Sequence, residues 1–166
     1  MAGLGARPAR IIIAALSGVL AVLVGTGVWI AAQARDEQGR AGDRRAVLIA
    51  AGEHAKSLMS LDHKSVDADL RRILDTSTGE AREEYEANAA KLKTTTIENK
   101  VVQQGVLRAT GLVSMTANTA RVLVVADVEI RWEDSRSKPQ ERYYRWQMDL
   151  AKTGGRWLVS KVVQVP

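Results

Sequence analysis

The segment Ile11–Ala32, IIIAALSGVLAVLVGTGVWIAA, carries no charge, and its only polar side-chain atoms belong to Ser17, Thr26 and Trp29. Its 22 residues would reach about 33 Å as a helix, enough for a hydrocarbon core of about 30 Å. Backbone in lipid must satisfy its own hydrogen bonds, so such a span has to be helical. Trp29 stands near its end, where an amphipathic ring suits the headgroup region. A transmembrane helix is therefore expected here, with everything beyond it tethered to a bilayer.

The rival is a cleaved signal peptide. Ala32-Gln33-Ala34 has the A-x-A pattern of a cleavage site, and Arg7 and Arg10 make a basic leader. Signal cores, however, run about 7–15 apolar residues, and this one is longer. Orientation rests on weaker ground, because Arg35, Arg40, Arg44 and Arg45 follow the span. Long C-terminal domains translocate largely regardless of charge, so the N-terminus is expected inside. The resulting organisation is a cytoplasmic tail over 1–10, the transmembrane helix over 11–32, a juxtamembrane linker over 33–45 and an extracytoplasmic domain over 46–166. Within the span, Ala14, Gly18, Ala21 and Gly25 fall on one face, a candidate packing seam against a partner helix.

Of the 24 basic residues, all but Arg7 and Arg10 lie beyond the span, mixed with 19 acidic ones. That mixture does not resemble the basic face of a nucleic-acid binder. With no cysteine, thiolate catalysis, disulfides and cysteine-ligated metal are excluded.

Gln33 to Arg45 is polar without apolar period, a linker or the solvated start of a helix. Residues 46–61 then place Val47, Leu48, Ala51, Ala55, Leu58 and Met59 near one helical stripe. Ser65 is placed to cap a short helix over 66–74, whose first turn carries Asp67 and Asp69. Ser77 and Glu80 have capping-box spacing and open a helix to about Lys93, with Ala81, Tyr85, Ala89 and Leu92 as its buried stripe. From Thr94 the period changes to two. The run 101–115 alternates with Leu107, Ala109, Val113 and Met115 on one side, and Gly105 and Gly111 suggest bulges or bends. Ala117-Asn118 marks a hairpin. Residues 121–132 put Val122, Val124, Ala126, Val128, Ile130 and Trp132 on one face. Residues 142–151 alternate Tyr144, Trp146, Met148 and Leu150 against Tyr143, Arg145, Gln147 and Asp149. Thr153-Gly154-Gly155 turns into a last strand. The pattern predicts an α+β fold, two or three helices packed on a curved four-stranded antiparallel sheet, cone-like in shape.

Three stretches carry a family resemblance: LDHKSVDADLRRILDTSTGEAREEYEANAAKLK after the span, RYYRWQMDLAKTGGRWLVSKVVQV at the end, and within the latter Gly155-Arg156-Trp157-Leu158-Val159-Ser160. Over residues 11–165 the chain resembles the Mce-associated membrane proteins of actinobacteria. That family is similar in architecture to the nuclear transport factor 2-like cone and to the periplasmic domain of the type IV secretion assembly protein. The resemblance implies a non-enzymatic accessory protein that stabilises or assembles an Mce-type lipid-import transporter. Mce subunits and the lipid bilayer would be its partners, with no nucleic acid and no cofactor. It offers no catalytic residues to carry over.

The residues themselves point the same way on chemistry. His54 and His63 are expected to be solvated, without a third ligand at metal spacing, and Asp62 beside His63 makes a poor dyad because neighbours in a turn rarely converge. No metal-binding or catalytic residue is expected. Asp127, Glu129 and Asp149 share strand faces with Arg131 and Arg145, which cross-strand charge pairing explains without catalysis. Tyr143, Arg145, Arg131 and Glu129 are the partner-contact candidates, because tyrosine and arginine are enriched at binding hot spots. Two alternatives stay open: a cone that binds lipid or acts on a small molecule, and a scaffold of a type IV secretion-like complex.

Overall fold

The computed structural model describes residue 39 and residues 41–166. Two compact units divide at residue 42, and the description below concerns the second, Asp43–Pro166. The apolar span, with its seam Ala14, Gly18, Ala21 and Gly25, lies outside the described residues. No helix among the described residues is long and apolar enough to cross a membrane.

Helix α1 covers residues 41–59, so the end of the expected 33–45 linker is helical. Val47, Ala51, Ala55 and Met59 recur every four residues and are fully buried, one stripe laid on the sheet. Helices α2 (Val66–Asp75) and α3 (Gly79–Glu98) follow. Strands β2 (Val101–Met115), β3 (Thr119–Trp132), β4 (Gln140–Thr153) and β5 (Arg156–Gln164) form an antiparallel meander. The α+β expectation holds, with three helices and with five strands rather than four. The fifth is β1, Leu61–Asp62, which pairs with Gln103 and Val102 at the sheet's edge. Two residues are too short for an alternating pattern to show, which is why this strand reads as a turn.

The core lies between α1, α3 and the inner sheet face. Val122, Val124, Ala126 and Val128 of β3 meet Trp146, Met148 and Leu150 of β4, with Trp157 and Val159 of β5 completing the cluster. Gly105 is what lets α1 come so close: a Cβ there would sit 2.5 Å from Met59 Cβ. Its role is contact, whereas the bulges fall elsewhere on β2, at Arg108 and Val113. Those two extra residues break the period of two. Ala109 and Val113, expected inside, are exposed, while Leu112 packs against the core.

Other local expectations fail for identifiable reasons. Residues 94–97 are helical rather than extended, because α3 continues until Thr96 is buried and Lys100 enters the left-handed region at φ 47°. Leu92 is half-exposed on that helix. The Ser77–Glu80 capping box does not form. Ser77 Oγ instead donates to the Leu74 carbonyl, and Thr78 is the residue that starts α3. Ser65 makes no cap to backbone either; its hydroxyl donates to Asp69. Asp69 is a buried carboxylate, accepting from the Asp62 N–H at 2.9 Å and from Arg72 at 2.5 Å. From its place in the first turn of α2 it also stitches that helix to β1.

Candidate interaction surface

Strand alternation decides what the domain shows to solvent. On β3 the even positions 120–128 are buried, so Arg121, Leu123, Val125, Asp127 and Glu129 face outward. Register places Leu123 beside Gln147 and Gln147 beside Val163. Val125 stands beside Arg145, and Asp127 between Val106 and Tyr143. The outer face therefore carries an exposed apolar group of Val106, Leu123, Val125, Tyr143 and Val163, with Tyr143 69% exposed. No helix of the described unit covers it.

Ion pairs frame this group. Arg108 reaches Asp127 at 2.6 Å, Arg121 reaches Asp149 at 2.7 Å, and Arg131 reaches Glu129 at 3.1 Å. The Tyr143 hydroxyl donates to Glu141 at 2.7 Å, and that hydrogen bond holds the phenol above its usual pKa. A shallow depression of about 300 Å³ lies between Val106, Arg108, Asp127, Glu129 and Tyr143. The four predicted contact residues thus share one face. Tyr143 and Glu129 line the depression, Arg131 braces Glu129, and Arg145 stands beside Val125. Among the described residues, the three ion pairs of this face do not include Arg145. Sequence reasoning overlooked Leu123 and Val125. Their signal was present in TARVLVVADVEIRW, where two apolar residues occupy the otherwise polar phase.

Both histidines depart from expectation. His54 is fully buried. Thr76 Oγ1 donates to the Arg72 and Ile73 carbonyls, so it accepts from His54 Nδ1 at 2.8 Å. Nε2 is then the acceptor for the Tyr85 hydroxyl at 3.2 Å. Burial lowers His54 to about 4 and raises Tyr85 to about 12. The arrangement ties α1 to the start of α3 and to the turn before it, with both ring nitrogens occupied. A helix-period reading places His54 on the polar side because it cannot see that α2 and α3 cover that side too.

His63 is also mostly enclosed. Its Nε2 lies 3.0 Å from Glu133 and its Nδ1 3.4 Å from Asp62. Lys64 pairs with the same Glu133, whose carboxyl is held low by that contact. The cluster fastens the β3–β4 loop to the turn after β1. Glu133 was invisible as a partner because 69 residues separate it from Lys64. Among the described residues, no group of three His, Asp or Glu side chains is placed to hold a metal ion.

Comparison with known proteins places these features in context. The chain is 32% identical over 144 residues to "Uncharacterized protein Rv1363c" of Mycobacterium tuberculosis, covering 87% of this chain and 54% of the relative. It therefore spans about half the length of that curated relative. Among solved structures, the periplasmic domain of DotI superposes with a TM-score of 0.61 at 16% identity, over 74% of this chain and 94% of that one. An IcmL-like type IV secretion system protein from Legionella pneumophila gives 0.60 at 14% identity, over 74% and 92%. A putative scytalone dehydratase from Novosphingobium aromaticivorans gives 0.57 at 10%, over 78% and 89%. At such identities the likeness is one of fold. Over residues 7–166 the chain matches the family described as "Uncharacterized protein Rv1363c/MT1408-like", and it belongs to that family.

Proposed function

We propose that this chain is a non-enzymatic, single-pass assembly subunit of an envelope membrane complex. In this reading residues 1–10 are cytoplasmic, 11–32 cross the membrane, 33–45 lead away from it, and the domain from 46 onward lies outside the cytoplasm. The observation that carries it is the open outer sheet face, where Val106, Leu123, Val125, Tyr143 and Val163 are exposed together inside a frame of ion pairs. Exposed apolar groups rimmed by charge are the usual form of a protein-binding patch.

Two partners of different kinds fit. The resemblance to Mce-associated membrane proteins favours subunits of an Mce-type lipid importer. The fold likeness to an IcmL-like type IV secretion system protein favours the second, a scaffold of a type IV secretion-like complex, and the likeness to the periplasmic domain of DotI supports an extracytoplasmic domain. A photo-crosslinking residue at Leu123 or Tyr143 of the full chain, in native membranes, separates them. Adducts with Mce subunits support the first partner and adducts with secretion subunits the second. Crosslinking confined to lipid, or none at either site, overturns the outer face as the binding surface. A reporter fused after Pro166 that works only in the cytoplasm would overturn the orientation.

A further inference from the structure

The two ends of the sheet differ in charge. The β2–β3 turn and the β4–β5 turn lie at one end, joined by the Lys152 N–H donating to the Asn118 carbonyl at 2.9 Å. Helix α1 enters the unit at this same end, at Asp43. Asp43 receives Lys152 Nζ at 2.7 Å and Trp157 Nε1 at 3.3 Å, contacts that keep its carboxyl below the usual range. Around this junction Arg44, Arg45 and Arg156 are exposed. Among the described residues around this junction, Asp43 is acidic, and Lys152 already engages it. The opposite end is balanced: Lys64, Lys100, Arg136 and Lys138 stand with Asp62, Glu98, Glu133 and Asp134, Lys64 pairing with Glu133 and Lys100 with Asp134.

The position of the basic end along the chain gives it meaning. Residues 33–42 separate the apolar span from Asp43, and a connector of that length reaches at most about 35 Å even when fully extended. On the anchor reading, a connector of that length leaves Arg44 and Arg45 within reach of the headgroups. We infer that the end of the domain formed by Arg44, Arg45, Arg156 and the Thr153–Gly155 turn docks on anionic phospholipid headgroups of the adjoining leaflet. This rests on the reading of residues 11–32 as a membrane anchor. Docking would orient the sheet across the membrane surface, so that the outer face is presented sideways to a neighbouring subunit. The turn suits close approach: Gly154 and Gly155, at φ 57° and 78°, carry no side chain to hold the backbone off.

The chain contains no cysteine, so a single spin label reports one place. The full chain carrying Thr153→Cys is reconstituted in nanodiscs of phosphatidylcholine, with or without phosphatidylglycerol, and nickel-chelating lipid supplies the relaxing agent. A basic residue near an anionic surface favours contact by about fivefold, so three arginines shift the docked ratio by on the order of 100-fold. The label at 153 should relax strongly in the phosphatidylglycerol discs at low salt. It should relax weakly in neutral discs, and weakly again at 1 M salt, where the Debye length is about 3 Å. A label at Ser135→Cys, at the far end, should stay remote throughout. The triple change Arg44→Gln, Arg45→Gln, Arg156→Gln should abolish the lipid dependence. Equal relaxation of label 153 in both disc types, or a lipid dependence unchanged in the triple variant, overturns the docking alone. Failure of the chain to enter discs at all overturns the anchor reading beneath it.

Discussion

Acid should loosen this fold through His54. The side chain is fully buried, and burial lowers its pKa from 6.5 to about 4. In the unfolded chain the imidazole titrates near 6.5, so the fold binds the neutral form and the unfolded state takes the proton. The contribution is complete above about pH 6.5, shrinks as the pH falls, and is lost in full below about pH 4. At pH 5 the unfolded imidazole is almost entirely charged while the folded one is mostly neutral, which costs about 2 kcal/mol; the full separation corresponds to about 3 kcal/mol. His54→Gln removes the titration while keeping a hydrogen-bonding side chain between Thr76 and Tyr85. The measurement is urea unfolding of the full chain in detergent, followed by tryptophan fluorescence at pH 7 and pH 5. Carboxylates contribute to both proteins, so the quantity to compare is the difference between their pH losses. The native chain should lose about 2 kcal/mol more than the variant. An imidazole resonance of His54 titrating near 6.5, or equal losses in the two proteins, would refute the assignment of a buried neutral ring.

Gly105→Ala should cost about 1–3 kcal/mol in thermal unfolding, because the new methyl group meets Met59 Cβ at 2.5 Å. Gly111→Ala, with nothing within 4 Å, should be neutral or stabilise by about 0.5 kcal/mol, and a larger loss there would mean that the glycine serves the backbone. Asp69→Ala should destabilise by about 2–3 kcal/mol, since it strands the Asp62 N–H that the carboxylate accepts. Leu123→Glu should leave unfolding within about 0.5 kcal/mol of the native chain while eliminating adducts from a crosslinker at Tyr143; retained adducts would move the binding patch elsewhere.

The long, regular elements were readable because each buries one face. The α1 stripe of Val47, Ala51, Ala55 and Met59 follows a helical period, and β3 and β4 follow a period of two, so the residues of those strands expected inside are buried except Ile130, Trp132 and Tyr144, which are half-buried. What escaped depends on contacts distant in sequence. The bulges at Arg108 and Val113 shift the phase of β2 partway along, and no local preference marks the extra residue. Residues 94–97 have strand-like composition but continue α3, because tertiary burial of Thr96 outweighs a weak local propensity. His54 reads as polar-side until α2 and α3 close over it. The candidate face was half visible: its charged and aromatic residues were named, whereas the apolar residues between them were assigned no role.

The distribution of polar groups bears on which side of the sheet can work. The buried polar side chains among the described residues are His54, Asp69, Ser77 and Thr96. His54 is bonded at both nitrogens, Asp69 holds a backbone N–H and Arg72, and Ser77 donates to Leu74. His54 and Asp69 are thereby committed to holding elements together, and Ser77 to the turn that ends α2. The inner sheet face meanwhile is occupied by Met59, Met148, Leu150, Trp146 and Trp157 in one continuous core. A general base would need a free face toward substrate, and neither ring nitrogen of His54 has one. The outer face differs on both counts. Its apolar residues contact solvent, and its ion pairs are exposed, where solvent screens them. Leu123, Val125 and Tyr143 therefore contribute little to stability where they stand. Their clustering on an open face is the physical basis of the proposal that another subunit covers them.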